Sequence, residues 1–191
     1  MIATISKDEK INILFNTPWI KSVIEKKCKV IIKINLAGLP EKNHPRTDSQ
    51  LLENVIHFFL DMGFMITICE SADGYLSMNL CSIGLDWMTQ SKFIQIIDLD
   101  EQEYFNVDTN GQKISIPNYL KTNDLKISIP CTSKRENMLF TNNIKNFFGA
   151  TPRVEYLRTG QGRWRSTLHD ELTKSVINVY KSFENHAKFD L

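Results

Sequence analysis

The sequence predicts an α/β domain: a layered, mainly parallel sheet with helices on both faces, Rossmann-like, with a small β-hairpin insertion. Three observations predict it. From residue 28 onward, short β-branched runs alternate with helix-length stretches, and strands joined through helices pair in parallel by right-handed crossovers. The runs are apolar almost throughout, as strands covered on both faces are. Two further short β-type runs instead flank Asp108-Thr-Asn-Gly111, a composition suited to a hairpin turn.

The elements follow in order. Residues 11–15 suggest an edge strand, and residues 18–26 a helix with Pro18 near its start. Residues 28–36 (CKVIIKINL) read as the first clear strand. Residues 47–62 read as a helix with Thr47 as its N-cap, Gln50 completing a capping box and Gly63 as the stop. Its apolar positions Leu51, Leu52, Val55, Ile56, Phe59 and Leu60 recur at helical spacing. Residues 64–69 (FMITIC) form a second strand, 75–83 a short helix, and 93–99 (FIQIIDL) a third strand. The hairpin over 103–107 and 113–116 leads to a short helix near 117–121 and a strand at 125–130. Residues 140–148 are expected to be a helix stopped by Gly149, and 167–186 a long helix with Leu168, Leu172, Val176, Val179, Tyr180 and Phe183 on one stripe. No internal repeat or linker stands out, so a single domain over residues 1–191 is expected.

Composition narrows the class. With 42% hydrophobic and 24% charged residues, the chain is neither collagen-like, coiled-coil nor disordered. No apolar run reaches the roughly 20 residues of a membrane span, and residues 1–10 carry no signal-peptide core. Four scattered cysteines without a CxxC pair point to a reduced, cytoplasmic protein. The net charge of +1 hides a partition: residues 45–124 hold 4 basic against 12 acidic side chains, and residues 125–165 hold 8 against 2. A basic stretch between acidic ones suits a local anion site better than a nucleic-acid face; the alternative is solvated charge that folding intermixes.

In open parallel sheets, ligands bind beyond the carboxyl ends of the strands, so the residues just after each strand matter most. Lys33 and Asn35 share a parity and on a regular strand would face the same side. They either meet a ligand at the rim, or Lys33 snorkels past the strand end and Asn35 bonds a turn. Glu70, followed by Ser71, closes the second strand and suits a base, a metal ligand or a sugar-hydroxyl acceptor, or else a helix cap. Lys145 and Asn146 suit a carboxylate or phosphate, one as point charge and one as orienting donor, or form an ordinary amphipathic turn. Residues 151–166 carry Arg153, Arg158, Arg163 and Arg165 among glycines. They read as an anion clamp or active-site loop, a solvated connector, or a single-strand nucleic-acid contact. No GxSxG, P-loop, HExxH or GxGxxG signature is present, and His44, His57, His169 and His186 lack metal-ligand spacing. No metal site is expected.

The order of these segments carries a resemblance. VIIKINLAG (residues 30–38), a loop into TDSQLLENVIHFFLDMGF, ITICES (66–71), IIDLD (96–100), ISIP (114–117), LKISIP (125–130) and IKNFFG (144–149) together resemble the family called domain of unknown function 362. The likeness runs over residues 28–187. It implies that Lys33, Asn35, Glu70, Ser71, Lys145, Asn146 and Gly149 are motif positions. Relatives often carry ferredoxin-type iron–sulfur segments, for which this sequence lacks the ligand spacing. A remoter likeness links the fold to nickel-pincer lactate racemases, through Arg46 in a strand–helix loop. Where the family has a "KtH" after the proline-ended strand, this sequence has Cys131-Thr-Ser-Lys-Arg-Glu136. Lys134 and Arg135 keep the positive charge there, without the histidine. The sequence also stops about where relatives enter another core strand, which would leave a sheet edge needing a partner or a cover.

The expected function is an enzyme, or a degenerate one, binding a small anionic ligand, carboxylate or phosphate. Glu70 and Lys145 are the candidate catalytic residues. Lys33, Asn35, Ser71, Lys134, Arg135, Asn146, Arg158, Arg163 and Arg165 are the candidate ligand contacts. The cofactor is left open. The alternative is a non-catalytic binding or assembly module, completed by a homodimer or a partner chain; nucleic-acid and membrane partners are not expected.

Overall fold

A computed structural model describes residues 15, 17–36, 46–135, 138–141, 143–160 and 165–191, with side chains left aside at 133–135 and 138–141. The expected edge strand at 11–15 lies outside these residues apart from Phe15, which is helical and buried. The elements are α1 (Pro18–Ile24), β1 (Lys29–Lys33), α2 (Ser49–Asp61), β2 (Met65–Glu70), α3 (Leu76–Cys81), β3 (Ile94–Asp98), β4 (Tyr104–Thr109), β5 (Gln112–Pro117), β6 (Leu125–Ser128), β7 (Ser133–Arg135), β8 (Met138–Thr141), α4 (Asn143–Phe148) and α5 (Leu172–His186).

β1, β2, β3 and β6 form one parallel sheet in the order β3-β2-β1-β6. The alternation of side chains along β1 sorts the core into two layers. Val30, Ile32 and Ile34 join Ile66 and Ile68 under α1, α2 and α3. Ile31 and Cys69 lie with the opposite layer, built from α4, α5 and the β4–β5 hairpin. The expected α/β layering with helices on both faces is therefore present. So is the hairpin, whose two-residue turn has both Asn110 and Gly111 at positive φ, the primed geometry that matches strand twist.

Three expectations need correction. Asp48, not Thr47, caps α2: its carboxylate accepts Leu51 N–H at 3.0 Å. Thr47 is instead buried, accepting Asn35 N–H and donating to Ile129 O, so one hydroxyl ties the chain after β1 to the chain after β6. The expected helix over 140–148 is split, because residues 138–141 pair with β7 as a short antiparallel ribbon and the helix begins at Asn143. The expected helix over 167–186 is also split, into a 3-10 turn (Ser166–His169) and α5. A second stripe on α5, Ser175, Asn178 and Ser182, is buried and polar, bonded to Gln112, Asn110 and Thr109 of the hairpin. Hydrophobic periodicity has no signal for such a face.

The outer edge of β6 is covered from within the chain. Leu191 N–H donates to Lys126 O, and Ser128 N–H donates to Leu191 O at 2.8 Å, a parallel bridge opposite Ile127. Phe189 anchors this segment, edge-on to Phe147 of α4 at 5.1 Å. Phe189→Ala should cost about 3 kcal/mol in urea denaturation, the usual figure for a buried phenylalanine. It should also raise amide exchange at Ser128; unchanged exchange there would separate the anchor from the edge.

Candidate functional site

β1 and β6 are neighbours in the sheet but far apart in the chain, and the strand order reverses between them. This is the place where α/β sheets bind ligands, at the carboxyl ends. Lys33 ends β1 on the α4 side and is 0% exposed. Its ammonium donates to Glu70 Oε1 at 2.8 Å, to Asn146 Oδ1 at 3.1 Å and to Ile34 O at 2.7 Å. An ammonium has three N–H groups, and all three are used.

Each partner is itself tied down. Glu70 ends β2 and also accepts Ser71 N–H and Leu36 N–H. Asn146 sends its amide N–H groups to Lys33 O and Ser128 Oγ, so one side chain of α4 bridges β1 and β6. Gly149 lies directly over the group. A Cβ there would stand 3.2 Å from Asn146 O and 3.5 Å from both Lys33 Nζ and Glu70 Oε1. Glycine is thus required by close approach rather than by its backbone angles. Cys69 lies in this layer, and burial pushes its thiol up to about 12 against the pull of Lys33, which removes it as a thiolate nucleophile.

A second network continues from Ser71. Ser71 Oγ donates to Asp100 and accepts from the Arg165 guanidinium. Arg165 also holds Thr151 O and Gly149 O, and Arg153 holds Ser71 O and pairs with Asp100 at 3.2 Å. Burial pulls Arg165 from 12.5 down to about 10, with Arg153 adding and Asp100 and Glu70 opposing, so it stays charged at neutral pH. The loop after β2 turns its N–H groups inward. Ala72 and Gly74 donate to Asp98, and Asp73 donates to Asp100. With Asp73 and Gly74 at positive φ, this is a concave array of donors filled by the protein's own carboxylates.

Of the expected site residues, Lys33, Glu70, Ser71, Asn146 and Arg165 come together in one bonded group. Asn35 falls beyond the end of β1, and its backbone pairs with Thr47, its N–H donating to Thr47 Oγ1 and its carbonyl accepting Thr47 N–H. Lys145 turns away from its neighbour Asn146, as adjacent helical positions must; its ammonium lies 5.5 Å over the Phe148 ring. Arg158 is on the surface, paired with Asp170. Lys134 and Arg135 lie on β7 with side chains outside the described set, and Arg163 and His44 lie outside it altogether. Arg46 donates to Ser82 Oγ. Arg153, from the arginine-bearing stretch 151–166, and Asp98 and Asp100, from the IIDLD segment at the end of β3, join this second network without being among the expected site residues.

The whole assembly sums to neutral: Lys33, Arg153 and Arg165 against Glu70, Asp98 and Asp100. An open cleft of about 220 Å3 at this rim is lined by Asp73, Asp100, Glu101 and Arg153, more acid than base. Among the described residues, no group of three His, Cys, Asp or Glu is placed to hold a metal ion, and no helix is long and apolar enough to cross a membrane.

His169 borders the site through Phe148, edge-on at 5.1 Å, and its Nδ1–H donates to Arg165 O at 2.7 Å. Burial holds the imidazole below its ordinary 6.5. The hydrogen bond to Arg165 O opposes this, Lys145 and the Arg165 guanidinium add to it, and Asp170 opposes. The unfolded chain thus binds this proton more readily than the folded one. The contribution is present above about pH 6.5 and is lost as pH falls through that value. His169→Gln should flatten the fall in urea midpoint between about pH 7.5 and about pH 5.5 relative to wild type.

Removing one partner of the buried pair should be far worse than removing its charge altogether. Lys33→Met should cost about 3–5 kcal/mol, and Glu70→Gln added to it should recover most of that loss. Gly149→Ala should cost about 1–3 kcal/mol by overpacking the same group. Chemical denaturation of the four proteins checks all three values.

The family model described as Domain of unknown function (DUF362) matches residues 30–190. Comparison with curated proteins gives no match, and comparison with solved structures gives none either, so the likeness to lactate racemases gains no support. With most of the chain matched, and the ordered strands and the IKNFFG segment in place, the protein belongs to the DUF362 family.

Proposed function

We propose that the protein binds a small carboxylate or phosphate at the carboxyl ends of β1 and β6, with Lys145 supplying the charge. In this reading the Lys33–Glu70–Asn146 group is the fixed floor of the site. The observation that carries the reading is Asn146, which spans both strands where their order reverses and so places α4, with Lys145, at that point.

An enzymatic role would fall to Glu70 as base, since it is the carboxylate nearest the reversal. Against that stands its bonding: Lys33, Ser71 N–H and Leu36 N–H already occupy it, so proton transfer would first have to break the floor. Binding without chemistry by Glu70 is therefore the better-supported half of the proposal. The assembly reading is weakened by the internal cover on β6, because the edge that would recruit a partner already carries a bridge from Leu191.

The test is a titration with sodium acetate and with sodium phosphate at constant ionic strength, following the amide resonances of residues 143–149. Saturable shifts should appear and should vanish in Lys145→Ala, whose stability should stay within about 0.5 kcal/mol of wild type. Absence of saturable shifts, or an unfolded Lys145→Ala protein, would overturn the proposal.

A further inference from the structure

The opposite end of the sheet holds a different arrangement. Before β6 and after α5, the side chains of Lys27, Lys121, Lys126 and Lys188 line a cleft of about 280 Å3, with Asp124 and Asp190 as its carboxylates. Four lysines and two carboxylates line it, an imbalance that the closed rim around Lys33 does not have.

Two of the lysines have other work. Lys27 donates to the carbonyl and side chain of Asn123, fixing the turn before β6. Lys121 lies 5.0 Å over the ring of Phe105. The other two do not. Lys188 is exposed and has no hydrogen-bond or ion-pair partner among the described residues. Lys126 is 5% exposed as a residue, its stem packed away and its ammonium half-buried at the cleft wall, where it has one acceptor among the described residues, Thr122 O at 2.6 Å. An ammonium partly withdrawn from water with one protein acceptor gains from any further acceptor placed in the cleft. Burial lowers its pKa and Lys27 lowers it further, against the pull of Asp190 and Asp124. Asp190 spends one oxygen on Lys126 N–H at 3.0 Å, which holds the segment after α5 against β6 and keeps the cleft in shape.

We infer that this cleft binds a phosphate group, held between Lys126 and Lys188. A tetrahedral dianion offers several acceptors in a small volume, which matches a half-buried ammonium with one acceptor beside an exposed one with none among the described residues. A single carboxylate offers less charge against the four lysines. The site is separate from the one at the carboxyl ends of the strands, so failure of either leaves the other standing.

The experiment follows the amide resonances of residues 122–126 and 187–190 during titration with inorganic phosphate and, separately, with glycerol phosphate, against chloride at equal ionic strength. Saturable shifts are expected with at least one of the two, and the tighter ligand tells whether the phosphate is free or carried by a small molecule. Lys188→Ala and Lys126→Met should each weaken binding by about tenfold or more, while Lys145→Ala should leave it unchanged. Because Lys188 is exposed, its variant keeps the fold and the test stays decisive. No saturable shift with either ligand, or equal shifts in both lysine variants, would reduce the effect to unspecific ionic screening and overturn the inference.

Discussion

A lysine ammonium sealed between the ends of parallel strands dictates the local architecture of this protein. Taking a charge out of water is expensive unless an opposite charge and enough acceptors replace the solvent. Lys33 has that replacement only because three separate pieces of chain converge on it: the end of β2 with Glu70, the α4 helix with Asn146, and its own next carbonyl at Ile34. The close fit of Gly149 over the pair follows from the same demand, since a methyl group there would crowd both charged atoms. The ordered likeness to the family thus corresponds to one physical object. Lys33, Glu70, Asn146 and Gly149 are the parts of a single buried group, with Lys145 outside it.

That origin explains what could be read in advance. Lys33 and Glu70 stand out because a charged residue inside or just after an apolar run demands an explanation. The strands were legible from their β-branched runs, and the hairpin from its turn residues. The helix over 140–148 misled because Phe140 and Thr141 suit a strand or a helix, and the ribbon with β7 decides between them. Thr47 and Asp48 are both capping residues. Only the tertiary demand of Asn35 and Ile129 for a shared hydroxyl assigns the cap to Asp48. Arg153 and Arg165 were visible as arginines, but nothing local says that their partners are backbone carbonyls and a serine from a distant loop.

The internal balance of charge changes the meaning of the gathered residues. A set of basic and amide groups at the rim of a parallel sheet invites an anion, but here the carboxylates of Glu70, Asp98 and Asp100 already fill that role. The loop after β2 makes the point most directly. Its run of N–H groups with positive-φ residues is the kind of backbone cradle that takes an anion elsewhere, and it is occupied by Asp98 and Asp100 from the neighbouring strand. An external anion would compete with fixed carboxylates on short tethers, which have a high effective concentration. An external anion at this rim would therefore have to meet side chains that face away from this group.

The two ends of the sheet then differ in kind. At the carboxyl ends, hydrogen bonding is complete around Lys33, and the cost of burial is met from within the chain. At the amino ends, the Lys126 ammonium is half-buried and has a single acceptor among the described residues, next to three more lysines. A folded chain tolerates such a deficit where the stability gained elsewhere exceeds it, and a ligand that supplies the missing acceptors recovers the difference on binding. The same rule of electrostatics, applied to two lysines on neighbouring strands, thus makes one a structural keystone and the other a place for a ligand. What separates them is how far the ammonium is withdrawn from water and how many acceptors it meets among the described residues, three for the sealed Lys33 and one for the half-open Lys126.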